Sequence, residues 1–210
     1  IAPYLWYLGI RKLDHLIITH PDSDHYNGLY FILKRFRPKN MWISDIEDDS
    51  ESYSRLLTLA SSLSIPIKTP NSTTFIKGEY FYLKKYNKSD ELYESDNDRG
   101  LVTQYGHDSF SMLFPGDIGR QREMALVAAN EEISSTILLA PHHGSKSSNS
   151  QSFLKQVTPE LTIVSSGKSS HFPPPSILDR YNRLNLPVIL TKESGTIVVR
   201  SDGKRFWQEA

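Results

Sequence analysis

Six consecutive residues, His20-Pro21-Asp22-Ser23-Asp24-His25, carry four side chains able to ligate a divalent metal. They constrain the fold because of what flanks them. Leu13-Asp14-His15-Leu16-Ile17-Ile18-Thr19 reads as a buried β-strand, and Tyr26–Phe36, with Leu29, Phe31, Ile32, Leu33 and Phe36 on helical spacing, reads as a helix. The cluster therefore sits at a strand-to-helix junction. His20 and Asp22, two apart in extended chain, point to one side; Asp24 and His25 follow where the backbone turns. Imidazole with carboxylate suits zinc, manganese or iron better than a thiolate-preferring ion. The bland alternative is a polar loop, since Asp, Ser and Pro populate loops.

The 210 residues fit one domain, spanning 1–210, with enough hydrophobic content, including 11 Tyr and 9 Phe, to fill a core. Lys plus Arg balance Asp plus Glu at 24 each, which argues against a module held to nucleic acid by bulk charge. A nuclease stays open, because metal ions supply local positive charge. Absence of cysteine excludes disulfides and zinc–thiolate sites. No apolar run approaches the length of a membrane span. The chain begins at Ile1 without an initiator Met, which suggests a piece of something longer.

Further along, strands are expected at Met41–Ile46, Ile65–Ile67 (an edge, given Pro66), Glu79–Tyr86, Leu101–Tyr105 and Phe110–Phe114. The last two flank a hairpin turn at Gly106-His107-Asp108-Ser109. Helices are expected at Ala2–Leu8, Ser52–Leu63, from about Arg120 to Ala129, at Gln151–Val157, and from Pro173 to about Leu184. Ser89–Arg99 reads as an acidic loop. Thr136–Ala140 and Leu161–Val164 read as strands, and Pro187–Thr191 with Thr196–Arg200 as a final strand pair around Gly195. This alternation gives an α/β chain. Three strands end in potential ligands, at His20–His25, at Asp117, and at His142/His143, which is how an α/β layer builds a site.

The pieces Thr19-His20-Pro21-Asp22-Ser23-Asp24-His25-Tyr26-Asn27-Gly28-Leu29, Leu113-Phe114-Pro115-Gly116-Asp117, Ala140-Pro141-His142-His143-Gly144-Ser145-Lys146-Ser147-Ser148 and Ser165-Ser166-Gly167 are together similar to the extracytoplasmic metallo-β-lactamase-fold domain of ComEC-type DNA internalisation (competence) proteins. The match in order and spacing runs from about Ala2 to Asp202, and the His-His-Gly-Ser-Lys piece is the more specific part. The resemblance implies an α/β (α+β) fold, a metallo-β-lactamase-like αββα sandwich with the metal site at one edge, here lacking the first glycine-rich strands of the family. It also implies a fragment of a bacterial cell-membrane protein, lying on the extracytoplasmic side, with transforming DNA, the membrane part of the same polypeptide and other competence proteins as partners.

Carried over by position, the resemblance implies two divalent ions, manganese or zinc. His20 and Asp22 would bind one, Asp24 and His25 the other; Asp117 would bridge them and His143 would complete the second site. Relatives in the wider fold place a further His before the bridging Asp; here that region offers Asp96-Asn97-Asp98-Arg99, with Asn97 or Asp98 near enough in sequence to stand in.

Two ions stabilise both the attacking and the leaving oxygen of a phosphoryl displacement. In that chemistry Asp24 would accept or orient a proton, and His142 or His171 would stabilise developing charge or protonate the leaving oxygen. Ser145, Lys146 and His171 are the candidate substrate contacts. His15, inside the strand, reads as a core or sheet-face histidine, and Trp6, Trp42 and Trp207 as packing or surface residues. The expected function is a metal-dependent phosphodiesterase, a DNA nuclease. The alternatives are a non-catalytic metal-binding module that docks DNA or a partner, and a phosphorylcholine-esterase-like hydrolase.

Overall fold

A computed structural model of the chain describes residues 1–71, 74–79, 81–86, 93, 95–168 and 171–209. They fall into two compact units, Ile1–Asn71 with Arg99–Leu101, and Ser72–Asp98 with Val102–Ala210.

In the first unit, helix α1 (Ala2–Tyr7) opens with a proline in its first turn, where the missing N–H costs nothing. Strand β1 (His15–Ile17) leads to α2 (Ser23–Tyr26), α3 (Leu29–Phe36), β2 (Asn40–Trp42), α4 (Glu51–Ser62) and β3 (Ile67–Lys68). The strands form a parallel sheet in the order β1-β2-β3, with Leu16 opposite Met41 and Met41 opposite Ile67. Pro66 thus precedes an edge strand, as its missing N–H demands. Helix α4 starts at Ser50, whose Oγ accepts the N–H of Tyr53 at 3.4 Å. Its buried face carries Tyr53, Leu56 and Ala60, which join Ile18, Tyr26, Leu33, Met41 and Ile65 in one core. Leu33, Met41 and Leu56 are wholly buried, each contributing about 1.5–3 kcal/mol by removal from water.

The expected single helix Tyr26–Phe36 is in fact two. The break falls at Asn27-Gly28, two residues of poor helix propensity. The first piece begins inside the ligand cluster, so Asp24 and His25 lie on a helical turn rather than in open loop.

The second unit contains β4 (Thr74–Lys77), β5 (Tyr82–Lys85), the single turn α5 (Asp96–Arg99), β6 (Thr103–His107), β7 (Phe110–Phe114), α6 (Arg120–Ala128), β8 (Ile137–Leu139), α7 (Gln151–Val157), β9 (Leu161–Val164), α8 (Pro175–Arg183), β10 (Val188–Leu190), α9 (Thr191–Ser194), β11 (Val198–Ser201) and β12 (Phe206–Glu209). Seven strands pair in the order β10-β9-β8-β7-β6-β5-β4. From β7 to β10 all neighbours are parallel, and from β4 to β7 all are antiparallel. The carboxyl ends of β7, β8, β9 and β10 therefore open along one edge. One core holds Leu113, Ile118, Leu126, Leu138, Phe153, Val157, Ile177 and Tyr181.

The β6–β7 hairpin is present, tightened to the two residues Asp108-Ser109, with Asp108 left-handed at φ 51° as a two-residue turn requires. His107 ends β6 instead of sitting in the turn. Asp96–Arg99 is helical, not loop, while most of 87–94 lies outside the described residues. The final strand pair is also different. Strand β10 joins β9 in parallel, and β11 pairs with β12. The signal at Gly195 marks the end of α9 and not the turn of a hairpin.

Candidate metal centre

In the first unit the segment after β1 brings several donors together. His20 Nε2 lies 3.5 Å from Asp22 Oδ2, and His25 Nε2 lies 3.8 Å from Asp24 Oδ2. The two imidazoles are in contact, with centroids 4.0 Å apart. These separations are too long for hydrogen bonds but suit shared coordination. Donors each about 2.0–2.2 Å from one ion stand roughly 3–4 Å apart at ordinary coordination angles. His20 is wholly buried, whereas the Asp22 and Asp24 side chains are 48% and 67% exposed.

Thr19 organises the pair. Its Oγ1 lies 3.0 Å from His20 Nδ1 and 3.4 Å from His25 Nδ1. A hydroxyl oxygen has two acceptor lone pairs, so it can accept an N–H from each ring and leave both Nε2 lone pairs free. Both Nδ1 atoms are thus occupied from behind, leaving both Nε2 atoms turned to the carboxylates, the orientation that outer partners of metal-bound histidines impose. The Thr19 carbonyl is itself fixed by the N–H of Leu101 at 2.8 Å. Sequence reasoning passed over Thr19, whose only signal was its place as the last residue of the strand, next to His20.

In the second unit, Asp117 follows β7 through Pro115-Gly116, and His142 and His143 follow β8. Asp117 Oδ2 is 3.7 Å from His143 Nε2 and 3.9 Å from His142 Nε2. His143 Nδ1 donates to the carbonyl of Ser165, beyond β9, at 2.8 Å. A carbonyl only accepts, so Nδ1 carries a proton and Nε2 is the ring nitrogen that faces the carboxylate. Lone pair facing carboxylate repels unless a cation or a proton lies between them. His142 Nδ1 has only a long contact, 3.5 Å, to Ser147 Oγ. Asp117 is 7% exposed, whereas both histidine side chains are about one-third exposed.

Both histidines are left-handed, at φ 50° and 54°, and Gly144 follows at φ 78°. Left-handed backbone at a non-glycine residue costs on the order of 1 kcal/mol or more, so the surroundings must enforce it. At Gly144 a Cβ would stand 2.8 Å from Pro173 Cβ, which excludes any side chain there. Asn149 holds the far end of the loop. Its Nδ2 donates to the carbonyls of Pro141 and Ser145 at 3.1 and 3.2 Å, and its Oδ1 accepts from Tyr181 Oη at 2.6 Å. Glu123, wholly buried, accepts the N–H groups of Asn149 and Ser150 at 2.5 and 2.8 Å. Burial pushes the Glu123 carboxyl above its usual range, against the lowering effect of those hydrogen bonds and of Arg120. The ends of β7, β8 and β9 thus supply Asp117, the histidine pair and the carbonyl that orients His143.

The remaining candidates divide. Asp98 is buried and its Oδ1 accepts the N–H of Gly119 at 2.6 Å, bracing the segment two residues past Asp117. Asn97 is half-buried. Ser145 is buried in the loop, its Oγ 2.9 Å from Ser147 Oγ, which suits a structural role. Lys146 is exposed. His171 is exposed and makes no hydrogen bond or ion pair among the described residues, although the ring of its neighbour Phe172 lies 6.4 Å from that of His142. His15 stands apart from these groups, its Nδ1 accepting from Trp42 Nε1 at 3.1 Å.

The family model described as the Metallo-beta-lactamase superfamily matches residues 1–168, and the chain belongs to that superfamily. A solved putative metal-dependent hydrolase from Parabacteroides distasonis is similar in fold, with a TM-score of 0.57 and 12% identity over 91% of this chain and 82% of that one. In sequence, the chain is similar to ComE operon protein 3 of Bacillus subtilis, at 28% identity over 95% of this chain and 26% of the relative. It is also similar to Competence protein ComA of Neisseria gonorrhoeae, at 23% identity over 94% and 26%. The resemblance to ComEC-type competence proteins therefore extends over nearly the whole chain, which spans about a quarter of these relatives' length. Among the described residues no helix is long and apolar enough to cross a membrane.

Proposed function

We propose that this protein is a metal-dependent phosphodiesterase, the nuclease domain of a membrane-anchored competence protein, degrading or processing DNA during its uptake through a membrane channel. On this reading residues 1–210 act as one functional domain on the extracytoplasmic side, joined to a membrane part of the same polypeptide. The observation that carries it is the His143–Asp117 pair, an imidazole Nε2 aimed at a buried carboxylate by the bond from Nδ1 to the Ser165 carbonyl.

The donor chemistry fits a pair of divalent ions, manganese or zinc, all imidazole and carboxylate without thiolate. By the family resemblance, His20 and Asp22 would hold one ion and Asp24, His25 and His143 the other, with Asp117 shared. When bound, such ions act as Lewis acids that neutralise charge developing on the phosphoryl oxygens. The chain's own residues do the rest. Asp24, with most of its side chain in solvent, is open to accept a proton from the attacking water. His142, one-third exposed and without a backbone anchor on Nδ1, turns toward the phosphate and serves the leaving oxygen. The names of the relatives, one a competence protein, support DNA as the substrate.

The test is cleavage of single- and double-stranded DNA with added manganese, magnesium or zinc, beside a chelator control and the Asp117→Ala variant. Cleavage that needs metal and vanishes in the variant is the expected result. DNA binding without turnover under every ion would overturn the enzyme reading in favour of a docking module.

A further inference from the structure

The loop that presents His142 and His143 runs on into a second concavity of the same unit. A cleft of about 590 Å³ opens between the start of α6, the start of α7 and the second half of α8, a volume in the range of ligand sites. Three arginines line it, Arg120, Arg180 and Arg183, with no acidic side chain among the lining residues. Arg120 is the first residue of α6, and Arg180 and Arg183 are three apart, on one face of α8. Among the described residues none of the three forms an ion pair with a carboxylate. Arg120 does act electrostatically on Glu123, but both oxygens of that carboxylate are engaged by the backbone of Asn149 and Ser150. In a chain with 24 acidic residues for its 24 basic ones, three guanidinium groups lining one cleft with no acidic side chain in its lining form a local field for an anion.

Two further features narrow the anion. Met124, 57% exposed, and Leu184 supply an apolar ledge in the same cleft, which an inorganic phosphate has no use for but a sugar or base does. The cleft is also joined to the candidate centre by covalent chain and hydrogen bonds. The Ser147 carbonyl accepts the N–H of Arg120 at 2.7 Å, while Ser147 Oγ lies 3.5 Å from His142 Nδ1. Arg180 Nη1 donates to the carbonyl of Asn149 at 2.6 Å, tying α8 to the same loop.

We infer that this cleft binds the phosphodiester backbone of a nucleic-acid strand beside the histidine pair, with Arg120 and Arg183 receiving phosphates and Met124 and Leu184 receiving sugar or base. The choice of nucleic acid rests on the phosphodiesterase reading. The forked guanidinium matches phosphate oxygens in pairs. Arg180 is a positioning residue, since its Nη1 is spent on the loop.

The experiment is fluorescence anisotropy of a labelled single-stranded oligodeoxynucleotide in chelator across a potassium chloride series, for the parent, Arg120→Ala/Arg183→Ala, Arg120→Lys/Arg183→Lys and the control Lys155→Ala. Both arginines are exposed, and circular dichroism checks that the variants fold. Removing two phosphate contacts should flatten the log–log salt dependence by about 1.4 and weaken low-salt affinity by roughly tenfold or more. The lysine pair should keep the slope, and Lys155→Ala should match the parent. A slope and affinity unchanged in the alanine pair would overturn the cleft, as would a parent that does not bind the strand. So would loss, in the alanine pair, of binding to phosphatidylglycerol vesicles with DNA binding unaltered. Turnover of bis(p-nitrophenyl) phosphate, too small to span the cleft, separates this proposal from the one it rests on. Parent turnover with no change in slope removes the cleft alone, whereas a flattened slope with no parent turnover removes the enzyme reading and leaves the cleft standing.

Discussion

The Nδ1–H of His143 is bonded to the Ser165 carbonyl at 2.8 Å while its Nε2 faces Asp117 Oδ2 at 3.7 Å. One residue earlier, His142 reaches the same carboxylate at 3.9 Å but has no backbone anchor on Nδ1. Adjacent histidines that look equivalent in sequence are therefore different groups. On the proposed reading the anchored ring would be the fixed ligand, and the other would face the substrate.

That difference is measurable. His143→Ala should cost about 10–100-fold or more in metal affinity, the range seen when ligands or their supports are lost. His142→Ala should keep its metal and lose turnover. Metal content after dialysis, set beside cleavage rates, checks both; a His142→Ala protein as metal-poor as His143→Ala would reverse the assignment.

Asp117 is the buried carboxylate that both rings face, at 3.9 and 3.7 Å. Asp117→Ala should abolish metal-dependent cleavage while leaving the far-ultraviolet circular dichroism of the parent. Cleavage as fast as the parent would move the centre elsewhere.

Asp98 acts through the segment that follows Asp117. Asp98→Ala leaves the Gly119 N–H without its charged acceptor, a loss of about 1.5–3 kcal/mol, and lets the Asp117 segment shift. Denaturant unfolding should show the stability loss, and metal affinity should fall with it. Asp98→Asn, which keeps an acceptor oxygen, should recover part of both.

Glu123 clamps the histidine loop from within. Glu123→Ala strands two buried N–H groups, at Asn149 and Ser150, and should destabilise the fold by roughly 3 kcal/mol. A melting temperature equal to the parent's would show that the loop finds other acceptors.

His15 supplies the pH prediction. Burial is the main cause lowering its pKa below 6.5, with Asp14 opposing and Lys68 and Lys39 adding to the depression. The folded state therefore favours the neutral ring. Below 6.5 the unfolded chain takes up the proton first, so stability falls as pH drops from about 6.5 through the depressed folded value, and is flat on either side. His15→Gln should remove that segment of the stability profile in urea titrations between pH 7.5 and 5. It should leave metal content unchanged, because His15 is engaged with Trp42 and stands outside the donor groups.

What the sequence determined was local. The density of donors at His20–His25, strands that end in Asp117 and in His142-His143, and apolar spacing in Ser52–Leu63 and Gln151–Val157 fix element type and the residues available for chemistry, because period and turn chemistry act over a few neighbouring positions. The break at Asn27-Gly28 was legible in those two residues, but it was outweighed by the apolar pattern running across it. What only the tertiary structure decided were choices between equivalents and partners distant in the chain. Strand β10 pairs with β9 rather than with the segment after Gly195, which lets Leu190 and Val188 pack with Ala140 and Val164 in one apolar cluster. Thr19 behind two imidazoles, Ser165 behind one of two adjacent histidines, Asp98 beneath Gly119 and Glu123 beneath Asn149 pair residues up to 27 positions apart. No periodicity encodes such pairs, because a hydrogen bond depends on where the packed core brings a donor and an acceptor, and that is set by the whole fold.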